Sequence, residues 1–108
     1  MANPTLGTNQ PYYGQPINAG TFINFTATNT GQIVKTGEGV LYSLTINTPT
    51  AAGVITLYDG LSTSGTKIGT ITVPSSPVPV SLEYNIYFAT GLFVVVATQA
   101  EDITISYR

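Results

Sequence analysis

From residue 21 onward, short runs of β-branched and aromatic residues alternate with clusters of Gly, Pro, Asn and Ser. Runs of this kind are typical of strands, and the turn residues between them are typical of an all-β fold. No segment has a convincing helical spacing of its apolar residues. The pattern predicts strands at 21–27, 32–35, 40–47, 54–58, 67–73, 80–84, 91–98 and 103–107.

Seven or eight strands, spaced by about ten residues, indicate two antiparallel sheets packed as a β-sandwich. The sequence leaves the connectivity open between a jelly roll and an immunoglobulin-like arrangement. It also leaves open whether residues 85–88 extend the strand at 80–84 or begin a bend. The most apolar segment, 91–98, is expected to be a central strand buried on both faces, because an exposed strand of this composition would promote aggregation.

The clearest alternation lies in residues 40–47, where apolar and polar side chains follow the period of two that a half-buried strand requires. The apolar set, expected to face the core, is Val40, Tyr42, Leu44 and Ile46. The opposite set is Ser43, Thr45 and Asn47. This second face is expected to contact either water or a partner.

The first 20 residues contain three prolines and three glycines, and their apolar residues follow neither the strand period nor the helix period. We therefore divide the chain into an extended N-terminal arm, 1–20, and a β-sandwich domain, 21–108. The two adjacent tyrosines of the arm either pack back on the domain or contact a neighbouring molecule, since Tyr is frequent at interfaces. The candidate protein-contact residues are Pro11, Tyr12, Tyr13 and Pro16.

Charged residues make up 7% of the chain, against roughly a quarter in an average soluble domain. They are Lys35, Lys67, Arg108, Glu38, Asp59, Glu83, Glu101 and Asp102, and there is no His, Cys or Trp. Most groups used for acid–base, thiol or metal chemistry are therefore absent, which argues against an enzyme and predicts no cofactor. The polar character comes from 18 threonines and from Ser, Asn and Gln, and such a surface suits packing against other protein.

The same composition bears on other partners and on location. The three basic residues lie far apart in the sequence, so nucleic-acid binding is not expected. The longest apolar run, 92–97, is far shorter than the ~20 residues of a membrane-spanning helix. The N-terminus lacks the basic and apolar regions of a secretory signal, so synthesis in the cytosol is expected.

A few residues could carry chemistry. Asp59, followed by a glycine, could begin a calcium-binding loop, but the turn preferences of these residues favour a simple hairpin turn. Glu101 and Asp102 are expected to form a solvated turn. Ser64 near Lys67 is a conceivable nucleophile and base, but no flanking motif supports the pair.

Four tyrosines occupy predicted strands. They could form a stacking platform for carbohydrate, but aromatic side chains are common in strands, and packing in the core or across strands is the favoured interpretation. These residues are Tyr42, Tyr58, Tyr84 and Tyr107.

Several segments of the chain are similar to sequences of small virion proteins of tailed bacteriophages. They are 54–60 (VITLYDG), 62–66 (STSGT), 81–82 (SL), 91–94 (GLFV) and 102–108 (DITISYR). Over residues 38–108 the chain most resembles the capsid cement, or decoration, proteins.

The resemblance implies a small β-rich subunit without catalysis, often a homotrimer, that sits on the capsid surface and bridges copies of the major capsid protein. Such a protein is made in the host cytoplasm and ends in the virion. The resemblance also implies that the 1–20 arm lies across a neighbouring subunit. The alternative interpretation is a carbohydrate- or receptor-binding β-sandwich module of a phage fibre.

Overall fold

The computed structural model describes residues 19–108, and this part of the chain contains eight β-strands and no helix. The strands are β1 Thr21–Phe25, β2 Gln32–Thr36, β3 Gly39–Thr48, β4 Val54–Asp59, β5 Thr66–Thr72, β6 Val80–Phe88, β7 Gly91–Ala97 and β8 Asp102–Tyr107. All eight correspond to strands predicted from the alternation of β-branched runs and turn residues.

The strands form two four-stranded antiparallel sheets, a first sheet of order β1-β8-β3-β6 and a second of order β2-β7-β4-β5. The pairings are nested, because β1 pairs with β8, β2 with β7, β3 with β6 and β4 with β5. The chain therefore folds as one long hairpin rolled into two sheets, which is the eight-stranded jelly roll. Of the two connectivities that the sequence leaves open, the jelly roll is the one adopted.

The core lies between the two sheets and is made of their inward-facing side chains. It includes Leu92, Val94 and Val96 of β7 and Ile103 and Ile105 of β8, and all five are fully buried. Burial of one such side chain stabilises the fold by about 2 kcal/mol relative to leaving it exposed. The inward positions of β7 and β8 are those that the period of two assigns to one face.

The outer face of β7 is less buried than predicted. Phe93 and Val95 point away from the core and remain partly accessible to solvent. The prediction that this strand is buried on both faces is therefore wrong for its outer face. The physical reason is that a two-layer sandwich has no third layer to cover the outside of either sheet.

β3 departs from the predicted alternation at Tyr42. Leu44 and Ile46 are buried as predicted, but Leu41 is fully buried whereas Val40 is only partly buried. The register shifts just after Leu41 against both neighbouring strands. Such a bulge changes which residues point inward on its far side. The prediction that Val40 and Tyr42 face the core is therefore wrong, and Leu41 takes the inward position.

β6 continues beyond the predicted strand end at Tyr84 and reaches Phe88. The chain passes through Asn85 with a φ of 52°, a left-handed conformation that Asn adopts more readily than most residues. Phe88 then inserts its ring into the core and is fully buried. Residues 85–88 therefore extend the strand.

The turn before β8 contains a buried carboxyl group. Glu101 is only 1% exposed, so the prediction of a solvated turn is wrong for this residue. Its Oε1 accepts a hydrogen bond from Thr50 N at 2.7 Å, and Oε2 has no hydrogen-bond partner among residues 19–108. The Glu101 side chain fits because residue 53 is a glycine, and the Cβ of any other residue there would overlap Oε2. Glu101 thus ties the turn before β8 to the loop before β4.

Candidate functional site

Much of the outer face of the first sheet is covered by polar side chains, most of them uncharged. Its register places Phe22, Ser106, Ser43 and Glu83 in one row across the four strands. We call the polar part of this outer face, together with Phe22, the contact face. It consists of Phe22, Asn24, Ser43, Thr45, Asn47, Ser81, Glu83, Asp102, Thr104 and Ser106.

The side chains of the contact face are held in place by hydrogen bonds between strands. Asn24 Nδ2 donates to Asp102 Oδ1 at 2.8 Å, and Asn47 Nδ2 donates to the same oxygen at 3.1 Å. Asn47 Nδ2 also donates to Thr104 Oγ1 at 3.0 Å, and the hydroxyls of Thr45 and Ser81 lie 2.9 Å apart. These bonds already order the side chains in the free protein. The side chains would therefore lose little conformational entropy when a partner binds.

One carboxylate and one ring distinguish the two edges of the contact face. Glu83 on β6 is exposed. On β1, at the opposite edge, the Phe22 side chain is 69% exposed. Asp102 is bonded to two amide groups within the face, so Glu83 is the charge most available to solvent.

The outer face of the second sheet is more apolar. Tyr58 on β4 lies beside Phe93 on β7, with ring centroids 6.2 Å apart and a tilt of 58°, and Ile33 pairs with Phe93 from β2. Tyr84 and Tyr107 pack against the core. Packing in the core or across strands, the favoured interpretation for the strand tyrosines, is therefore confirmed for Tyr58, Tyr84 and Tyr107.

Two adjoining clefts open at the end of the sandwich where β2 and β8 finish, and they share the side chains of Lys35 and Arg108. The first cleft, of about 530 Å³, is lined by Ala19, Gly20, Thr21, Lys35, Tyr107 and Arg108. The second, of about 390 Å³, is lined by Lys35, Glu38, Gly39, Val40, Tyr87 and Arg108. The sequence did not predict that Lys35 and Arg108 lie close together, because the last residues of β2 and β8 are far apart in the chain and meet only when the sheets form.

The position of Arg108 is fixed by its backbone. Its N–H donates to Val40 O at 2.8 Å, and its carbonyl oxygen accepts from Val40 N at 2.8 Å. Within residues 19–108, the side chains of Lys35 and Arg108 have no ion-pair or hydrogen-bond partner. Nearby, the Tyr87 hydroxyl donates to Glu38 Oε1 at 2.8 Å, and this bond raises the pKa of Tyr87.

Asp59, the last residue of β4, binds the backbone of the turn between β6 and β7. Its carboxylate accepts hydrogen bonds from the backbone N–H groups of Ala89 and Thr90, each at 2.9 Å, and a longer one from Gly91 at 3.4 Å. These bonds, led by the one from Ala89, lower the pKa of Asp59. The carboxylate therefore stabilises a turn of a neighbouring hairpin, and no group of three metal-binding side chains occurs within residues 19–108.

Replacing Asp59 with Asn is expected to remove one acid-sensitive contribution to stability. Because the folded pKa is depressed, the wild-type carboxylate stabilises the fold above its unfolded pKa, about 4, and this gain is lost as pH falls through the folded pKa. Urea unfolding of both proteins from pH 7 to pH 2 measures the effect. The difference between wild type and D59N should be largest near neutral pH and shrink below about pH 4; a constant difference would contradict the assignment.

The structure separates the remaining residues that the sequence singled out. Ser64 N donates to Ser62 Oγ at 3.1 Å within its own loop, and Lys67 is exposed on β5. Neither residue lines the two clefts. The arm candidates lie outside the described residues: Pro11, Tyr12, Tyr13 and Pro16. Residues 19–108 include no helix that could cross a membrane.

Comparison of the chain with protein families, with curated proteins and with solved structures found no match.

Proposed function

We propose that this chain is a structural virion subunit, a cement or decoration protein that binds the outer capsid surface and stabilises contacts between copies of the major capsid protein. The observation that carries the proposal is the contact face, which offers ordered uncharged hydrogen-bonding groups and an exposed aromatic ring. The resemblance of residues 38–108 to capsid decoration proteins supports the same function.

A face whose side chains are mostly uncharged suits a lasting protein contact, because charged groups are costly to remove from water. A buried ion still costs several kcal/mol unless a partner compensates it, whereas a hydroxyl or amide costs less and regains that cost with one hydrogen bond. Hydroxyl groups such as those of Thr45 and Ser81 can accept further bonds while paired. Apart from Glu83 and Asp102, the contact face can therefore be covered by a protein surface with little electrostatic penalty.

Phe22 is the side chain of this face with the most apolar surface to bury. Aromatic residues dominate the binding energy of protein interfaces when a pocket on the partner surrounds them. In the sequence, one residue, Thr21, separates Phe22 from the 1–20 arm. The proposal therefore assigns the arm and the β1 edge of the contact face to one continuous area of contact with the capsid.

A repeated subunit can bind a shell tightly through modest single contacts. In a homotrimer, the first contact holds the other two near their sites, and the gain in affinity can reach a factor of about 10² to 10⁴. Within the arm, prolines limit the freedom of the unbound chain and so reduce the entropy lost on binding. These considerations support Pro11, Tyr12, Tyr13 and Pro16 as further contact residues.

Replacing Phe22 with alanine is expected to weaken binding to undecorated, expanded capsids of the cognate phage by about 30-fold. This factor corresponds to the roughly 2 kcal/mol that separates an interface hot spot from an ordinary contact. The measurement is co-sedimentation of the purified protein with capsids across a concentration series. Thermal unfolding should change little, since the ring is already exposed.

Val78 provides a matched control, because it is 68% exposed but lies in the loop between β5 and β6, outside the contact face. V78A should bind capsids as the wild type does. Equal binding by F22A and the wild type would rule out the contact face as the capsid-binding surface. Failure of the wild type itself to bind any capsid surface would reject the decoration function.

A further inference from the structure

The geometry points to a ligand site in the paired clefts at the end of the sandwich, one that takes an acidic oligosaccharide with its negative group held between Lys35 and Arg108. This site is separate from the proposed capsid-binding function and does not depend on it. The chain has only three basic residues, and two of them line the same pair of clefts.

The first cleft has an unbalanced positive charge among its described lining residues. Lys35 and Arg108 both contribute to its wall, and the other lining residues carry no acidic side chain. The first 18 residues of the chain contain no Asp or Glu either, so no side chain of the arm can neutralise the two cations. Glu38 is the one acidic side chain among the described residues that line either cleft, and it lies in the second cleft, where it accepts a hydrogen bond from Tyr87. The first cleft therefore suits an anionic group from another molecule.

Arg108 and Lys35 offer complementary ways to bind such a group. A guanidinium presents a planar fork of N–H donors that matches the two oxygens of a carboxylate. An ammonium adds three donors on a flexible stem. The backbone bonds between Arg108 and Val40 fix the base of the guanidinium side chain, so the fork starts from a defined position.

The second cleft supplies groups that suit the hydroxylated rings of a sugar. The Tyr87 side chain is 63% exposed, and its ring can pack against the apolar face of a sugar while its hydroxyl stays bonded to Glu38. The second carboxylate oxygen of Glu38 can accept a hydrogen bond from a sugar hydroxyl. Tyr107 lines the first cleft together with the two cations.

The size of the two clefts agrees with a ligand of more than one ring. Volumes of about 530 and 390 Å³ fall within the range of about 300 to 1,000 Å³ that is usual for small-molecule sites. Because the clefts share their two cations, a ligand that spans both would place one of its acidic groups centrally, with a further sugar ring on each side. A uronic-acid oligosaccharide has this arrangement of charge and hydroxyl groups.

The test is isothermal titration of the full chain with tetragalacturonate, and in parallel with its methyl ester, which has the same rings but no charge. The acid should bind and the ester should not. K35Q and R108Q should each weaken binding of the acid by about tenfold or more, as expected when one charge-assisted hydrogen-bond donor is lost. Binding should also weaken as salt is raised.

K67Q is the matched control, since it removes the third basic side chain, which lies on β5 away from the clefts. This variant should bind the acid as the wild type does. Absence of binding, equal binding of the ester, or an equal loss in K67Q would each overturn the proposal. If inorganic sulfate bound as tightly as the tetrasaccharide, the site would be an anion site without sugar recognition, and the saccharide assignment would be wrong.

Discussion

Replacing Leu41 with alanine is expected to lower the free energy of unfolding by about 3 kcal/mol, the middle of the range for a fully buried leucine. Leu41 is 0% exposed and lies in the core. The loss combines the removal of apolar surface from the core with the cavity that remains. Denaturant unfolding monitored by tyrosine fluorescence or circular dichroism measures the change.

The adjacent residue gives the decisive comparison. Val40 is only partly buried and should cost less than about 1 kcal/mol when replaced with alanine, because its side chain loses little core packing. Strict alternation along β3 would give the reverse order, with V40A the more damaging change. The relative cost of L41A and V40A therefore tests the bulge at Tyr42 directly, and a larger cost for V40A would refute it.

Replacing Gly53 with alanine should also destabilise the protein, by about 3 kcal/mol, the upper end for overpacking a filled interior. The added methyl group would overlap Glu101 Oε2 and lie 2.8 Å from its Cδ. Glu101 is buried and bonded to Thr50 N, so its side chain has little room to move. Gly69 is the control, since a Cβ there meets only the Tyr84 hydroxyl, at 3.2 Å. G69A should change the free energy of unfolding by about 1 kcal/mol or less, because the tight contact opposes the gain from replacing a glycine within a strand.

A double-mutant cycle identifies the clash as the cause. E101A alone should cost about 2 kcal/mol, because it leaves Thr50 N without its partner and opens a cavity. In the G53A/E101A protein the new methyl group occupies part of that cavity. The combined loss should therefore be smaller than the sum of the two single losses by at least about 1 kcal/mol. Additive losses would mean that the two side chains do not compete for space.

Local pattern was sufficient to place the strands. Residues such as Ile103 and Ile105 alternate with Thr104 and Ser106, and burial in the sandwich follows that alternation. The uncharged polar side of β3 could be anticipated in the same way, because Ser43, Thr45 and Asn47 had to point away from the core. Both inferences depend only on neighbours along the chain.

Features that depend on distant contacts could not be predicted in this way. The bulge that turns Leu41 inward exists only against the two strands flanking β3. Glu101 can be buried only because Gly53, far away in the sequence, leaves space beside it. Lys35 and Arg108 share their clefts because the ends of β2 and β8 meet in the folded sandwich. In each case the deciding partner is set by the topology, which the sequence leaves open.

The nested strand pairing also determines how the protein must fold. The β4–β5 hairpin joins neighbouring segments, whereas β1 meets β8 only by pairing Thr21 with Tyr107 near the two ends of the described chain. Topologies rich in such distant pairs fold slowly, because loop-closure entropy is lost before the contacts form. While β1 remains unpaired, the edge of β8 is exposed to pairing with other chains. Pairing of β1 with β8 thus has two effects at once, since it adds Phe22 and Asn24 to the contact face and covers the edge of β8.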